Sequence, residues 1–418
     1  MNIFVSPSPI IGTIPAIASK SDAHRRLILA AFADQKTTFS LVGGSDDIWA
    51  TVNCLENLGA KIERGKNEIT VCPGSEKSEA SLFTNESGST LRFLLPVAMA
   101  VCDKAHFTGA GRLPERPLTH LINAMKENGT AFSSDRLPLT ATGKMKSGKF
   151  VVPGNISSQY VTGLLMALVM LGGDSEIVVE GEMASKAYVD ITLETMRDFG
   201  LSVQKTSSGY RVPGNQIPHS PGRMTMEGDW SNAAFFLAAG AISKTKVTVK
   251  GLSMNSPQGD KAIVKLLQKF GAEIAFTDDA VTVSGGNLSG CQIDIGETPD
   301  LIAPLGIAAA YAKGKTVFAN GARLRLKESD RIVTMKNLIL SLGGQAEETE
   351  NELIVYGSGA LTGGEADSAN DHRIAMAAAI AGAYSDKGAR ISGAQAVKKS
   401  YPGFFDDFNM AGGKADAE

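Results

Sequence analysis

The chain has 418 residues, of which 43% are hydrophobic and 20% are charged. This length predicts two or three domains, and the composition excludes a disordered protein. Lys and Arg number 41 against 44 Asp and Glu, a net charge of -3, which excludes the broadly basic surface of a nucleic-acid-binding or membrane-surface protein. An anionic ligand would therefore need a local cluster of cations.

Neither the first twelve residues nor the longest apolar stretch indicates targeting or membrane insertion. The first twelve residues contain no Lys or Arg, unlike a secretory signal or a transit peptide, so we expect the mature protein to start at Met1. The longest apolar stretch, residues 161–171, is shorter than the ~18 residues that a membrane-spanning helix needs. The cysteines lack metal-ligand spacing, which favours reduced thiols in the cytoplasm and no zinc site; they are Cys54, Cys72, Cys102 and Cys291.

An internal repeat of ~70 residues dominates the sequence. In each copy a strand-like run ends in Gly, a helical segment follows, and a second Gly closes it. The closing glycines fit the left-handed conformation that ends many helices; they are Gly59, Gly129, Gly200, Gly271 and Gly343. We therefore predict six copies of a unit made of a strand, a buried helix, a strand, an outer helix and two further strands.

The buried helix of each copy is apolar nearly all round, whereas the outer helix is amphipathic. Most buried helices open with Ser, Asp or Asn, which cap free backbone N–H groups. We predict them at residues 21–33, 89–102, 158–171, 231–242, 299–312 and 372–383. Gly and Pro near residues 213–222 mark a plausible crossing between two halves of three copies each.

Cations stand at or just after several of these helix starts. Lys20 and Arg25 flank the start of the first buried helix, Arg92 lies in the second, and Arg373 follows the start of the sixth. A cation there opposes the positive end of the helix dipole, while the same helix end favours bound anions. A single Lys or Arg is more often a surface residue that covers apolar neighbours, so the recurrence carries the prediction of an anion site.

Two motifs in the first third of the chain combine cations with small residues. Lys20, Ser21 and Arg25 offer a point charge, a hydroxyl and a planar fork for a phosphate or carboxylate. The alternative is a capped helix with solvated cations. Gly88, in the segment 86–92, would let a ligand approach the backbone, although the segment alone is a weak match to any site.

The next motifs supply one more cation and several hydroxyls. Arg116 precedes the second outer helix and either clamps a ligand or pairs with Glu115. Ser157, Ser158 and Gln159 open the third buried helix, where capping alone would explain one Ser. Ser185 adds a further hydroxyl before the next outer helix.

The segment 323–331 is the densest ionic stretch of the chain. The alternation of Arg and Leu before Lys327 predicts a strand with one cationic face, after which Glu328 enters a helix start. A carboxylate among these cations would stay ionised and could serve as a base, and a surface network of ion pairs is the alternative. Asp300 brings a second carboxylate to the fifth buried helix, where it either caps the helix or acts chemically.

In order and spacing, these motifs resemble the 5-enolpyruvylshikimate-3-phosphate (EPSP) synthase family. The likeness covers the whole chain and rests on Lys20-Ser21 with Arg25, Glu115-Arg116-Pro117, Ser157-Ser158-Gln159, the segment 326–331 and Asn370-Asp371-His372-Arg373. It implies an α/β (α+β) fold, a two-domain inverse α/β barrel of six βαβαββ repeats, three per domain. The N-terminal strand would join the C-terminal domain, giving domains 1–12 with 227–418 and 13–226, and an active site in the cleft between them.

The resemblance also implies a reaction. The enolpyruvyl group of phosphoenolpyruvate would pass to the 5-hydroxyl of shikimate 3-phosphate through a tetrahedral intermediate, releasing phosphate. Asp300 would be the base near the hydroxyl, Glu328 the proton carrier at C3, and Lys20 would assist acid-base steps and stabilise charge. No metal, cofactor, nucleic acid or membrane is implied, and we expect a cytoplasmic monomer.

Each substrate carries a phosphate and a carboxylate, and the resemblance implies a residue set for each. Shikimate 3-phosphate would be bound by Lys20, Ser21, Arg25, Ser157, Ser158, Gln159, Ser185, Asp300 and Lys327. Phosphoenolpyruvate would be bound by Lys20, Gly88, Arg116, Gln159, Arg331, Arg373 and Lys399. The lysines and arginines of these sets suffice to neutralise two substrates that together carry roughly -5 to -6.

Two other functions fit parts of the pattern. The UDP-N-acetylglucosamine enolpyruvyl transferases resemble this fold but carry a reactive cysteine in the loop before the second outer helix, and residues 109–114 contain none. A non-catalytic repeat protein that binds anionic sugars would not need Asp300 and Glu328, because carboxylates weaken anion binding. Glu86 and Arg323 depart from the family pattern, which leaves their roles open, and Gly88 leaves room for the inhibitor glyphosate.

Overall fold

The computed structural model describes residues 1–41, 43–75 and 77–418. The chain divides into two compact units, and each is described by itself. The N-terminal unit comprises Lys20–Met226, and the C-terminal unit comprises Met1–Ser19 with Glu227–Glu418. In the described residues they contain twelve α-helices and 24 β-strands.

Six helices are buried on nearly every side, as the sequence predicted. They are α1 (Lys20–Ala31), α3 (Gly88–Val101), α5 (Ser158–Leu168), α7 (Trp230–Ile242), α9 (Ile302–Tyr311) and α11 (His372–Tyr384). Side-chain caps start four of them; the capping residues are Ser87, Ser157, Asp229 and Asp371. Across residues 1–41, 43–75 and 77–418, every helix is too short or too polar to cross a membrane.

The outer helices are half-exposed. They are α2 (Asp46–Asn57), α4 (Thr119–Lys126), α6 (Ala187–Asp198), α8 (Ile263–Phe270), α10 (Arg331–Ser341) and α12 (Phe404–Met410). The closing glycines follow five of them with φ between 70° and 116°, a conformation that costs glycine little. The predicted helix stops are therefore confirmed.

Three four-stranded sheets lie in the N-terminal unit, in the orders β14-β3-β5-β4, β6-β7-β9-β8 and β10-β11-β13-β12. In each sheet, the first two strands in this order are parallel to each other, and the other two neighbouring pairs are antiparallel. The strands are β3 (Thr37–Ser40), β4 (Lys61–Arg64), β5 (Glu68–Cys72), β6 (Glu79–Phe83), β7 (Lys104–Thr108), β8 (Ala131–Phe132), β9 (Leu139–Thr142), β10 (Lys149–Pro153), β11 (Ser175–Glu180), β12 (Gln204–Lys205), β13 (Gly209–Val212) and β14 (Arg223–Thr225).

The C-terminal unit repeats this topology in the sheets β2-β15-β17-β16, β18-β19-β21-β20 and β22-β23-β1-β24. Its strands are β1 (Ile3–Ser6), β2 (Gly12–Pro15), β15 (Val247–Lys250), β16 (Glu273–Phe276), β17 (Ala280–Ser284), β18 (Gln292–Asp294), β19 (Lys313–Ala319), β20 (Gln345–Glu348), β21 (Leu353–Ser358), β22 (Gly364–Asp367), β23 (Ala389–Ser392) and β24 (Lys414–Ala417). Parallel neighbours require a crossover, which a buried helix supplies in the second, third, fifth and sixth copies. The predicted fold of six repeats is confirmed.

Strands from distant parts of the chain complete three of the sheets. β14 pairs in parallel with β3 through Arg223 and Thr38, and β2 does the same with β15 through Val247 and Gly12. β1 lies between β23 and β24 and is antiparallel to both. The first and fourth copies therefore take their first strand from another place in the chain.

The segment before α10 differs from its prediction. Residues Ala322–Leu326 form a 3-10 helix rather than a strand, with Leu324 buried and Leu326 53% exposed. Arg325 Nη1 is 2.7 Å from Asp330 Oδ2 and Nη2 is 3.0 Å from Glu348 Oε2, so long-range partners fix the conformation. The prediction that Glu328 enters a helix start is also wrong, because Asp330 caps α10 and the helix begins at Arg331.

Candidate functional site

The candidate residues gather in two clusters, one in each unit. The cationic cluster of the N-terminal unit consists of Lys20, Arg25, Gly88, Arg92, Arg116 and Gln159. The mixed-charge cluster of the C-terminal unit consists of Asp300, Lys327, Glu328, Arg331, Asp371 and Arg373. Lys20, Gly88, Gln159 and Arg373 lie at the starts of buried helices, where N–H groups and the helix dipole favour anions. Lys327, Glu328 and Arg331 lie at or just before the start of the outer helix α10.

Arg25 is buried in α1 and bonds to neutral oxygens. Its Nε donates to Thr192 Oγ1 at 2.8 Å, Nη1 to the Ser21 carbonyl at 2.5 Å and Nη2 to the Tyr188 carbonyl at 2.8 Å. The guanidinium also stacks on the Phe93 ring, 4.9 Å from its centroid. Burial lowers the pKa of Arg25 to about 10, against the opposing attraction of Asp22. The group stays positively charged near neutral pH.

Lys20 is the first residue of α1 and points its ammonium at α2. Its Nζ lies 2.8 Å from Asp47 Oδ2, and both side chains are largely buried. Asp47 stands in the first turn of α2, where a carboxylate also complements the helix dipole. The ion pair therefore fixes the Lys20 side chain between two helix starts.

Arg92 and Arg116 converge on Gly88, the first residue of α3. A Cβ on Gly88 would lie 2.7 Å from Nη1 of each guanidinium, so any larger residue would displace them. Arg92 Nη1 donates to Gln159 Oε1 at 3.1 Å, and Nη2 donates to the Pro117 carbonyl at 3.2 Å. The positive charges of Arg92 and Arg116 therefore lie beside the first residue of α3, Gly88, which has no side chain.

The packing of α3 against α5 sets the positions of these groups. Gly163 brings the α5 backbone against the Arg92 carbonyl, where a Cβ would overlap that oxygen. Gln159, in the first turn of α5, donates from Nε2 to Ser89 Oγ at 3.0 Å. Burial raises the pKa of Tyr160, although Arg92 and Arg116 lower it in part, and its hydroxyl donates to the Pro117 carbonyl at 2.7 Å.

The remaining polar candidates of this unit lie around the same helix starts. Ser157 caps α5 by accepting from the Gln159 N–H at 3.3 Å, and Ser158 is the first residue of that helix. Ser185 is buried in the turn before α6 and has φ of 55°, an unusual backbone conformation for a serine. Ser21 lies in the first turn of α1, where its backbone carbonyl accepts from Arg25 Nη1.

Arg331 is the centre of the mixed-charge cluster. It is 1% exposed and donates to three carboxylates: Nη1 to Asp300 Oδ1, Nη2 to Glu328 Oε2 and Nε to Asp371 Oδ2, at 2.7, 2.7 and 2.8 Å. The carboxylates and burial act on the guanidinium in opposite directions, and the carboxylates prevail, so the pKa of Arg331 is raised. Asp300 and Glu328 are therefore joined through a single side chain.

Asp300 receives two further cations. Arg373 Nη2 donates to its Oδ2 at 2.9 Å, and Lys327 Nζ lies 3.6 Å from its Oδ1. Burial by itself raises the pKa of Asp300, but Arg373, Lys327 and Arg331 outweigh it and hold the pKa well below its ordinary value. The carboxylate is ionised across the physiological range.

The last repeat contributes its residues through the start of α11. Asp371 caps the helix by accepting from the Arg373 N–H at 3.0 Å while it accepts from Arg331. Lys399 is buried and donates to the Asn370 carbonyl at 2.6 Å. The turn at residues 370–373 thus contains Asp371 and Arg373 and also accepts the hydrogen bond from Lys399.

Three carboxylates of these surroundings were missed from the sequence as functional partners: Asp47, Asp260 and Asp371. Asp47 and Asp371 lie at helix starts, where acidic residues are common, so their ion pairs could not be predicted from the sequence. Asp260 is buried in the 3-10 helix Gly259–Ala262, and no local pattern distinguishes it. Burial, followed by the charge of Asp300, raises the pKa of Asp260 to about 6, although Arg373 lowers it in part.

The donor set suits organic anions better than metal ions. In the part of the chain that the structure describes, no group of three or more His, Cys, Asp or Glu side chains is arranged to hold a metal. The three carboxylates around Arg331 surround a guanidinium instead. The cationic cluster can bind phosphates and carboxylates, and the mixed-charge cluster adds ionised carboxylates that can accept and return protons.

Comparisons with known proteins agree on one family. The family model described as EPSP synthase (3-phosphoshikimate 1-carboxyvinyltransferase) matches residues 5–408. A 3-phosphoshikimate 1-carboxyvinyltransferase of Clostridium kluyveri is 39% identical over 421 residues, covering 99% of this chain and 98% of the relative. That of Clostridium perfringens is 37% identical over 420 residues, covering 98% of each.

A solved structure gives the same fold at a lower sequence identity. The EPSP synthase from Acinetobacter baumannii superposes with a TM-score of 0.83 at 24% identity and covers 100% of both chains. At this identity the likeness supports the fold alone.

Proposed function

The chain belongs to the EPSP synthase family, and we propose that it binds its two substrates through the cationic and mixed-charge clusters. It is an enolpyruvyl (1-carboxyvinyl) transferase, which transfers the enolpyruvyl group of phosphoenolpyruvate to the 5-hydroxyl of shikimate 3-phosphate and releases phosphate. The residue roles below, a monomeric state and a cytoplasmic location are parts of the proposal.

For shikimate 3-phosphate we propose Lys20, Ser21, Arg25, Ser157, Ser158, Gln159, Ser185, Asp300 and Lys327. Arg25 supports this role, because among the described residues its guanidinium donates to neutral oxygens and forms no direct ion pair, so its positive charge is available to a ligand. Serine hydroxyls at helix starts can add hydrogen bonds to phosphate oxygens.

For phosphoenolpyruvate we propose Lys20, Gly88, Arg116, Gln159, Arg331, Arg373 and Lys399. The convergence of Arg92 and Arg116 on Gly88 supports the N-terminus of α3 as an anion position. A glycine there lets the anion approach the backbone N–H groups as well as the guanidiniums. The inhibitor glyphosate, an anion with a phosphonate, would use the same groups.

The observation that carries the proposed mechanism is the connection of Asp300 and Glu328 through Arg331. Asp300 takes the proton of the attacking hydroxyl, and Glu328 delivers a proton to C3 and removes one after the tetrahedral intermediate forms. Lys20 assists these steps and stabilises the charge that develops on phosphate.

The low pKa of Asp300 is compatible with a base role once substrates are bound. Arg373, Lys327 and Arg331 hold the carboxylate ionised in the ligand-free chain. Anionic substrates that pair with these cations weaken their hold on Asp300, and its pKa then rises toward the range of an effective base. Substrate binding and base activation would thus be coupled.

The test is phosphate release from phosphoenolpyruvate, measured with and without shikimate 3-phosphate. The expected release requires the acceptor, and Lys20→Met loses both turnover and ligand binding because the point charge is removed. Lys36→Met, at an exposed residue between α1 and β3, is the matched control and should behave as wild type. Release that ignores the acceptor would contradict the assignment.

A further inference from the structure

A chain of short hydrogen bonds ends at the N-terminus of α3. His24 Nδ1 is 2.7 Å from Thr51 Oγ1, which is 2.7 Å from Thr90 Oγ1, which is 2.7 Å from Ser87 Oγ. All four side chains are fully buried. We call these residues the hydroxyl relay; it connects α1, α2 and α3.

The relay has a preferred direction. Among the described residues, His24 Nε2 has no hydrogen-bond partner, although it is buried. A buried N–H without an acceptor is rarer than a buried acceptor without a donor, so we assign the proton to Nδ1. His24 then donates to Thr51, Thr51 donates to Thr90, and Thr90 donates to Ser87.

The imidazole stays neutral in this arrangement. Burial is the main cause that lowers the pKa of His24, and the charges of Lys20 and Arg25 lower it further. The Phe93 ring packs edge to face against the imidazole, with centroids 6.1 Å apart. The relay is therefore uncharged, in contrast to the cations around it.

The relay acts on the residue that caps α3. Ser87 Oγ accepts from the Thr90 N–H at 3.2 Å as well as from the Thr90 hydroxyl. The Asp47 carbonyl, 3.4 Å from Thr90 Oγ1, is the longer competing acceptor. Because Ser87 directly precedes Gly88, the relay fixes the first turn of α3, where Arg92 and Arg116 converge.

We propose that His24 and Thr51 are positioning residues for phosphoenolpyruvate. Through Thr90 and Ser87 they orient the first turn of α3, so that its backbone N–H groups meet the anion. They act through Ser87 and do not touch the substrate. This inference rests on the proposed function, in which phosphoenolpyruvate binds at Gly88.

The experiment compares steady-state kinetics for both substrates in four variants. Thr51→Val keeps the shape of the side chain but removes the hydroxyl. His24→Leu removes the ring nitrogen, whereas His24→Asn keeps an N–H donor near the position of Nδ1. Thr195→Val is the matched control, since Thr195 is a buried threonine whose hydroxyl donates to the Ile191 carbonyl of its own helix.

We expect Thr51→Val and His24→Leu to raise the KM for phosphoenolpyruvate roughly 10-fold, the factor that a lost hydrogen bond typically gives. The KM for shikimate 3-phosphate should change less than about twofold, and His24→Asn and Thr195→Val should resemble wild type. A structural role alone would change both KM values or kcat together.

The inference is overturned if Thr51→Val leaves the KM for phosphoenolpyruvate unchanged, or if Thr195→Val raises it equally. Should Thr51→Val fail to fold, the KM for phosphoenolpyruvate is compared between His24→Leu and His24→Asn. Equal values in these two variants overturn the inference. Failure of the proposed function itself is distinct, because wild type would then release no phosphate in response to shikimate 3-phosphate.

Discussion

The cationic and mixed-charge clusters use arginine in opposite ways. Arg25 is oriented by hydroxyl and carbonyl oxygens, whereas Arg331 is surrounded by three carboxylates. The neutral partners of Arg25 leave its positive charge available to a ligand, whereas the carboxylate partners of Arg331 neutralise its charge. We therefore propose that the N-terminal unit attracts anions and that the C-terminal unit holds ionised carboxylates in fixed positions.

The first prediction tests which cluster depends on its arginine for stability. Arg331→Met leaves three carboxylates close together without their shared cation, which should cost about 3–5 kcal/mol in the free energy of unfolding. Denaturant unfolding measures the loss. Arg25→Met is the matched variant in the other unit and should cost less, because its partners are neutral. Equal losses in the free energy of unfolding for Arg331→Met and Arg25→Met would contradict the difference between the two clusters.

The second prediction concerns turnover in the mixed-charge cluster. Glu328→Gln keeps the shape of the side chain but cannot exchange a proton, so kcat should fall by about 10²-fold or more, with smaller changes in both KM values. Steady-state phosphate release measures both. Glu273→Gln, an exposed residue of β16 in the same unit, serves as the control and should leave kcat unchanged. A Glu328→Gln variant that raises only KM would place Glu328 in binding rather than proton transfer.

The third prediction uses pH to detect the raised pKa of Asp260, which burial and, after it, the charge of Asp300 produce. The pKa of Asp260 is raised from 3.8 to about 6, so the folded chain binds this proton more tightly than the unfolded chain. The contribution of Asp260 to stability is therefore present at low pH and is lost as pH rises from about 4 to 6. Asp260→Asn removes that loss, so its stability relative to wild type should increase by roughly 2–3 kcal/mol over this window.

The measurement is the free energy of unfolding of both chains between pH 4 and 7. Asp278→Asn, at an exposed residue before β17, is the matched control for the loss of a carboxylate outside the core. A difference from wild type that is constant with pH for Asp260→Asn would show that burial and the charge of Asp300 do not raise the pKa of Asp260.

The smallest effect is expected where a neutral partner is removed from the cationic cluster. Thr192→Val deletes the hydroxyl that accepts from Arg25 Nε at 2.8 Å, which should cost about 1–2 kcal/mol in the free energy of unfolding. Calorimetry or denaturant unfolding measures it. Thr248→Val, in the half-buried pair that Thr248 forms with Thr282 between β15 and β17, is the comparison without a charged partner and should cost less. A loss as large as that of Arg331→Met would remove the distinction between the clusters.

Much of the fold follows from short-range patterns. The apolar helices, their Ser and Asp caps and the closing glycines are each decided within one or two turns of chain, so the six repeats are visible in the sequence. The candidate residues were also found by motif, because each motif lies at the start of an element. Residues 322–326 form a 3-10 helix, although their alternation of Arg and Leu predicts a strand. The alternation fits either conformation, and the ion pairs that Arg325 makes with Asp330 and Glu348 decide between them.

The sequence by itself determined the six buried helices to within three residues at each end, and which residue types stand at their starts. Only the tertiary structure decided that β14, β2 and β1 complete sheets far from their own place in the chain, and that Arg331 joins Asp300 to Asp371. Caps and helix stops depend on neighbours a few residues away, whereas ion pairs and sheet edges depend on groups that meet only after the chain has packed.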